Sequence, residues 1–147
     1  MPETKRILVI GAGNIGGALI GGMLSSGVAG RDTLTATDSS ASKAAEIHDK
    51  WGIEVITTGN REPVREADVI ILAVKPTTLP HVLLDVRDEL RPEQILISVA
   101  AAFPIRLIEQ IIQKPMPVFR AMPNIPIVVN EGATGLAANG LATEEQR

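Results

Sequence analysis

The stretch ILVIGAGNIGGALI, Ile7–Ile20, joins a short apolar run to a glycine-rich turn and a second apolar pattern. The run Arg6–Ile10 predicts a buried strand, because it is short, apolar and ended by glycine. The following residues, from Asn14 to about Gly27, predict a helix. A strand and a helix joined by a tight glycine turn are typical of a sheet whose faces are covered by helices.

The same alternation continues along the chain. Because the predicted strands are almost wholly apolar, they indicate a parallel sheet that is buried on both faces. The predicted fold is therefore α/β, a Rossmann-like doubly wound and mainly parallel sheet with helices on both faces and a β-rich C-terminal extension. Further strands are predicted at 33–38, 53–56, 68–74, 94–100 and 116–122, with a β-rich end to about 138, and further helices at 44–50, 61–67, 77–90 and 104–112.

Two domains are predicted from the end of the chain. Residues 1–140 form the dinucleotide-binding domain, and residues 141–147 are the expected start of a missing helical domain. Thr143 is followed three residues later by Gln146, which is a capping-box pattern for a helix N-terminus. The alternative is a frayed tail.

Composition excludes several classes of function. Aromatic residues make up 2% of the 147 residues and the net charge is −3, so base stacking and contacts to a nucleic-acid backbone are not expected. The chain has no cysteine, which excludes disulfides and thiolate chemistry within it and is consistent with a cytoplasmic location. No apolar run reaches about 18 residues, so no membrane partner is expected.

The glycine-rich turn predicts a phosphate cradle. Gly11 permits the tight turn, Gly13 allows a pyrophosphate to approach the backbone, and Gly16 lets the helix pack closely on the strand. The helix N-terminus adds N–H donors and a partial positive charge. A glycine-rich turn used only for packing is the alternative. The residues of the predicted cradle are Gly11, Ala12, Gly13, Asn14, Ile15 and Gly16.

An acidic residue at the end of the second strand points to the cofactor. Asp38 lies about 20 residues after the glycine motif, where an acid binds the ribose hydroxyls of NAD and repels the 2′-phosphate of NADP. Ser39, Ser40 and Lys43 have groups that can reach a phosphate. The cofactor is therefore NADP or NAD, with a lean towards NAD. The alternative role for Asp38 is a helix N-cap.

Ligands of such sheets bind beyond the carboxyl ends of the strands, where two further motifs lie. Ala73–Pro76 (AVKP) ends the fourth strand, and Ser98–Ala102 (SVAAA) ends the fifth with small side chains that leave room for a flat ring. Lys75 is a weak catalytic candidate, with surface lysine as the alternative. His48 and His81 are interpreted as helix-surface residues, and no spacing of ligand residues predicts a metal. The absence of a general base disfavours alcohol oxidation and is compatible with hydride transfer to a protonated C=N bond.

Taken together, these motifs resemble pyrroline-5-carboxylate reductase over essentially the whole chain. The most specific of them is Arg120–Pro126 (RAMPNIP), whose two prolines exclude a continuing central strand. Glu131–Thr134 (EGAT) follows it in the order typical of the family. Ala102 departs from the glycine that is usual in the family at that position.

The resemblance implies reduction of 1-pyrroline-5-carboxylate to proline with NADH or NADPH, the last step of proline synthesis. It implies that the absent helical domain carries the substrate site and the interface of a homo-oligomer. The competing hypotheses are a β-hydroxyacid dehydrogenase, a deazaflavin-dependent NADP reductase and a non-catalytic NAD(H) sensor. The resemblance adds, as residues that line the cofactor, Asn60 at the adenosine end and Ala73, Val74, Lys75, Pro76, Ala100, Ala101, Met122, Pro123 and Asn124 at the nicotinamide end.

Overall fold

The computed structural model describes residues 4–123 and 134–147 and contains one seven-stranded sheet. The strand order is β3-β2-β1-β4-β5-β6-β7. The strands are β1 Ile7–Ile10, β2 Leu34–Thr37, β3 Glu54–Ile56, β4 Val69–Leu72, β5 Ile95–Ser98, β6 Val118–Pro123 and β7 Thr134–Ala138, and the helices are α1 Asn14–Ser26, α2 Ala41–Trp51, α3 Arg61–Glu66, α4 Leu79–Val86 and α5 Ile105–Ile112, with a 3-10 turn at Arg87–Glu89.

The first six strands are parallel, and β7 is antiparallel to β6. From β1 the chain moves outward through β2 to β3, and it then returns to the other side of β1 to build β4, β5 and β6. The direction of winding therefore reverses between β1 and β4. The predicted doubly wound α/β fold with a β-rich end is confirmed.

Alternate residues of β1 face two halves of the hydrophobic core. Leu8 and Ile10 pack in the cluster that includes residues of α3, α4 and α5, whereas Val9 packs in the cluster beneath α1 and α2. A strand whose side chains are apolar on both faces is stable only between two layers. The buried β1 thus fixes the glycine turn that follows it at the centre of the sheet.

Most helix ends follow the local sequence. Gly27 and Gly52 end α1 and α2 with φ of 76° and 70°, in the left-handed conformation that glycine adopts without strain. The side chain of Ser40 caps α2 by accepting a hydrogen bond from the backbone N–H of Lys43 at 3.4 Å. Helix α2 therefore begins three residues earlier than the prediction of 44–50.

The predicted start of α4 near Pro76 is wrong. Helix α4 begins at Leu79, because residues 76–78 form a turn. The carbonyl oxygen of Lys75 accepts hydrogen bonds from the N–H groups of Thr78 at 2.9 Å and Leu79 at 3.1 Å. Proline at position 76 is compatible with that turn, since the position requires no N–H donor.

Asn139 fastens the end of β7 to the neighbouring elements. Its Oδ1 accepts from the N–H groups of Val118 and Leu141, while its Nδ2 donates to Glu109 Oε1 and to the Met116 carbonyl.

Both hydrogen bonds of the predicted capping box near the end of the chain form. Thr143 N donates to Gln146 Oε1 at 2.9 Å, and Gln146 N donates to Thr143 Oγ1 at 3.2 Å. The division into domains at residue 140 stays a prediction. None of the helices in 4–123 and 134–147 is long and apolar enough to cross a membrane.

Candidate dinucleotide site

The glycine turn lies between the ends of two parallel strands. Gly11 N donates to the carbonyl of Thr37, the last residue of β2, at 2.8 Å, and Ala73 N, just after β4, donates to the Ile10 carbonyl at 2.8 Å. These bonds continue the sheet ladder one residue beyond the strands. The turn is therefore held at the carboxyl edge, at the point where the winding reverses and where ligands of such sheets bind.

Gly11 and Gly16 are required by close backbone packing. Gly11 has φ of 102°, and a Cβ built on it would lie 2.5 Å from the Ala73 carbonyl oxygen. A Cβ on Gly16 would collide with the Gly11 carbonyl oxygen. Gly13 differs, because a Cβ there would have no neighbour within 4 Å. The open space at Gly13 fits a position kept free for a bound group rather than one filled by packing.

The backbone N–H groups at the N-terminus of α1 are not neutralised by an acidic side chain of the helix. Gly13 occupies the N-cap position, no side chain caps the helix, and no acidic residue lies in its first turn. The first N–H groups of a helix have no intrahelical acceptor and carry a partial positive charge. Ala12 is buried, whereas Asn14 is exposed and Ile15 is half-buried. The turn can therefore hold the pyrophosphate of a dinucleotide.

The end of β2 is tied to the glycine turn and to α3. Asp38 Oδ2 accepts from Ala12 N at 2.9 Å, and Asp38 Oδ1 accepts from Ser40 N at 2.8 Å. Thr37 is 3% exposed, and its Oγ1 lies 2.6 Å from Asn60 Oδ1. Asp38 is not the N-cap of α2, since Ser40 occupies that position. Ser39 is exposed beside these groups.

The residues after β4 and β5 lie next to each other, because the two strands are neighbours. Val99 N donates to the Leu72 carbonyl at 3.0 Å, which joins the two segments beyond the strand ends. The side chain of Ala100 is buried, whereas Lys75 and Ala101 are exposed. The other predicted members of this group are Ala73 and Val74, which are half-buried, and Pro76, which is exposed.

Ala102, the departure from the family pattern, has φ of 54°. This is the left-handed region, which an alanine occupies at a cost because of its Cβ. The residue is also exposed. The backbone at position 102 therefore has the conformation that favours glycine, although the side chain present is alanine.

The last strand of the predicted site lies farther along the same edge. Arg120 pairs with Ser98 of β5, and its Nε is buried without a hydrogen-bond partner in the described part of the chain. Met122 is 53% exposed. Pro123 ends β6, and Asn124 lies outside the described residues. The structure thus aligns the predicted nicotinamide-side segments in strand order β4, β5, β6.

A small cavity adjoins the glycine turn, and a larger one touches the predicted site at Asn60 alone. The first, of about 300 Å³, lies between α1 and α2 and reaches Gly13 and Lys43. The other, of about 770 Å³, runs along Thr35 and Ile56 and reaches Asn60.

The two histidines lie outside the predicted site: His48 and His81 are exposed, and His48 Nδ1 hydrogen-bonds the Ile53 carbonyl at 2.8 Å. Over 4–123 and 134–147, no three acidic or histidine side chains are grouped as metal ligands.

Sequence patterns predict neither the hydrogen bond of the Thr37 hydroxyl nor the bonds from backbone N–H groups to Asp38. They place Thr37 only in a strand, and its partner Asn60 lies at the start of α3. No local pattern predicts that pair, because the contact depends on how β2 and β3 pair. The local sequence shows only a threonine directly before the acidic residue, which does not identify its partner.

The fold and the glycine turn define a Rossmann-type dinucleotide-binding domain. A family model described as NADP oxidoreductase coenzyme F420-dependent matches residues 6–102. That match covers more than half of the chain, and the chain belongs to this family of NADP oxidoreductases.

Relatives extend the similarity beyond residue 102 and confirm the resemblance seen in the sequence. The pyrroline-5-carboxylate reductase of Pseudomonas aeruginosa is 39% identical over 144 residues, 98% of this chain and 52% of the relative. The structure of such a reductase from Coxiella burnetii has a TM-score of 0.91 at 33% identity, and the match covers 98% of this chain and 53% of the other. The Plasmodium falciparum enzyme with NADP bound matches in fold, with a TM-score of 0.83 at 23% identity over 98% of this chain and 52% of that one. The chain therefore spans about half the length of the proteins it matches.

Proposed function

We propose that this chain is the cofactor-binding half of a pyrroline-5-carboxylate reductase, an enzyme that reduces the C=N bond of 1-pyrroline-5-carboxylate to give L-proline with NADPH or NADH. The observation that carries the proposal is the extent of the likeness. At 39% identity it runs over 98% of the chain, past the end of the family model at residue 102. The proposal includes a cytoplasmic location, a helical second domain beginning near residue 141, and pairing of subunits through that domain.

The proposed roles follow the strand order. The glycine turn, Gly11–Gly16, binds the pyrophosphate through backbone N–H groups and the α1 N-terminus. Asp38, Ser39 and Asn60 bind the adenosine ribose. The nicotinamide side is formed by Ala73, Val74, Lys75, Pro76, Ala100, Ala101, Met122, Pro123 and Asn124.

The chemistry requires little of this chain beyond positioning. When bound, a reduced nicotinamide would supply the hydride that the imine carbon accepts, and the imine nitrogen of the substrate would carry the proton that makes that carbon electrophilic. No general base is required, which matches the lack of a suitable histidine at the carboxyl edge. The small residues after β5 leave room for the ring. Lys75, exposed at the end of β4, is the candidate in this chain for placing a positive charge near the substrate.

The description of the family model favours a second candidate, a deazaflavin-dependent NADP reductase. Its reaction would exchange a hydride between the nicotinamide and coenzyme F420. The two candidates share the dinucleotide site and differ in the second substrate. Support for the first comes from the likeness beyond residue 102, which includes Arg120–Pro123 on β6.

The test is a chimera in which this chain replaces the matching half of the Pseudomonas aeruginosa relative. We expect NADPH oxidation that depends on pyrroline-5-carboxylate, and no oxidation by coenzyme F420. The intact relative is the positive control. The 147-residue chain alone should bind NADPH but turn over poorly, because the substrate site is shared with the second domain. A chimera that binds NADPH and dimerises but does not use pyrroline-5-carboxylate would refute the proposed reaction.

A further inference from the structure

The hydrogen bond between Thr37 and Asn60 fixes which side of the amide faces outward. Thr37 is 3% exposed, so its hydroxyl hydrogen requires an acceptor within the protein. Asn60 Oδ1, at 2.6 Å, is the acceptor that the described residues provide. An amide oxygen only accepts, so Thr37 donates. The Asn60 oxygen is thereby directed towards Thr37, and within 4–123 and 134–147 no acceptor engages Nδ2, so both of its N–H groups are left for a ligand.

The neighbouring carboxylate has the opposite arrangement. Both oxygens of Asp38 are directed to backbone N–H groups, those of Ala12 at 2.9 Å and Ser40 at 2.8 Å. Part of the acceptor capacity of Asp38 is therefore used within the protein. The donors of Asn60 and the exposed hydroxyl of Ser39 are offered to acceptor oxygens at this corner, together with the exposed Lys43 on the first turn of α2.

Thr37 connects this corner to the glycine turn. Its carbonyl oxygen accepts from Gly11 N at 2.8 Å, while its hydroxyl holds Asn60. Asn60 is at the N-cap position of α3, yet its side chain makes no capping bond there. A side chain at that position usually caps its own helix. Here the amide oxygen accepts from Thr37 instead, so the Asn60 side chain has a role other than capping the N-terminus of α3.

We propose that Thr37 is a positioning residue that orients the Asn60 amide, so that Nδ2 donates to oxygens on the adenosine ribose or its 2′-phosphate. The inference rests on the proposed dinucleotide site and deepens it. A 2′-phosphate presents more acceptor oxygens than a hydroxyl, and an outward-facing donor gains more from it. The pair therefore contributes more to binding of NADPH than of NADH.

The experiment measures binding of NADPH and NADH to the full 147-residue chain. Trp51 is the single tryptophan, and energy transfer from it to the reduced nicotinamide reports binding directly. Adenosine 2′,5′-bisphosphate, used as a competitor, probes the adenosine end alone. The thermal midpoint of every variant is measured in parallel.

Thr37→Val keeps the shape of the side chain and removes the donor. We expect the Kd for NADPH and for adenosine 2′,5′-bisphosphate to rise about fivefold to tenfold, the effect of losing about one hydrogen bond, with a smaller change for NADH. Thr37→Ser retains the hydroxyl and should restore most of the affinity. Thr35→Val is the matched control, since Thr35 is half-buried and lies on the same strand, two residues before Thr37.

Asn60→Asp tests the orientation of the amide. An aspartate still accepts from Thr37 but replaces both N–H donors with a charged oxygen. We expect NADPH affinity to fall at least tenfold and more than NADH affinity, because the new charge repels the 2′-phosphate. Unchanged NADPH affinity in this variant would show that the amide donors do not face the nucleotide.

The outcomes separate the two levels of the argument. A wild-type chain that binds neither nucleotide overturns the dinucleotide site and this inference together. A wild type that binds NADPH, with equal affinities for Thr37→Val and Thr35→Val, overturns the inference alone. A lower thermal midpoint with an unchanged ratio of NADPH to NADH affinity would mean that Thr37 only ties β2 to α3.

Discussion

Ala102 offers a direct test of backbone strain beside the site. Its φ of 54° costs an alanine about 1–2 kcal/mol. Replacement by glycine removes that cost and adds about 0.4–1 kcal/mol of unfolded-state entropy. Because the methyl group is exposed, little buried surface is lost. We expect Ala102→Gly to stabilise the chain by roughly 0.5–1 kcal/mol and to raise its thermal midpoint by about 2–3 °C.

The matched control is Ala101→Gly. Ala101 is exposed and adjacent to Ala102 but does not have a positive φ, so glycine adds entropy to the unfolded chain without relieving strain. It should lower stability by about 0.5–1 kcal/mol. Calorimetry or urea unfolding of both variants measures the difference in sign. Equal destabilisation by both substitutions would refute the claim that position 102 is strained in solution.

Three further predictions concern the glycine turn and one ion pair. Gly13→Val should leave the thermal midpoint nearly unchanged and abolish NADPH binding, because its side chain enters space that is otherwise open; retained affinity would contradict the pyrophosphate assignment. Gly16→Ala should instead lower both stability and binding, since its Cβ collides with the Gly11 carbonyl; a midpoint equal to that of the wild type would contradict the packing argument. The hydrogen bond from Arg65 lowers the pKa of Glu89 below its usual 4.5, so this pair stabilises the fold above that pH, and the contribution is lost as pH falls through the lowered pKa. The difference in urea midpoint between the wild type and Glu89→Gln should therefore shrink as pH falls below about 4.5, and a constant difference would contradict the pairing.

The sequence predicted the elements and the position of the glycine turn because both depend on local patterns. Apolar runs marked the strands, and Gly27 and Gly52 marked the ends of two helices. The predicted start of α4 is too early, because proline is accepted near the first residues of both a helix and a turn. In the structure these residues form a turn, which is stabilised by two hydrogen bonds to the Lys75 carbonyl.

Side-chain partners within the site were harder to predict. The bond from Ala12 N to Asp38 and the bond from Thr37 to Asn60 join residues far apart in sequence. Such contacts follow from strand order and register, which a single sequence specifies only indirectly. The left-handed φ of Ala102 could not be predicted either, because alanine, unlike glycine, is not typical of that conformation.

The hydrogen bonds that hold the glycine turn against the end of β2 have a consequence for the kinetics of nucleotide exchange. Gly11 N donates to the Thr37 carbonyl and Ala12 N donates to Asp38 Oδ2, so both contacts that hold the turn are made within the protein. A nucleotide therefore meets a surface that is already shaped, and its association rate should depend mainly on diffusion and orientation. Differences in affinity between NADPH and NADH, and between variants of this corner, should then appear chiefly as differences in residence time. In the proposed reductase, release of the oxidised nucleotide from this edge of the sheet would then compete with hydride transfer in setting the turnover rate.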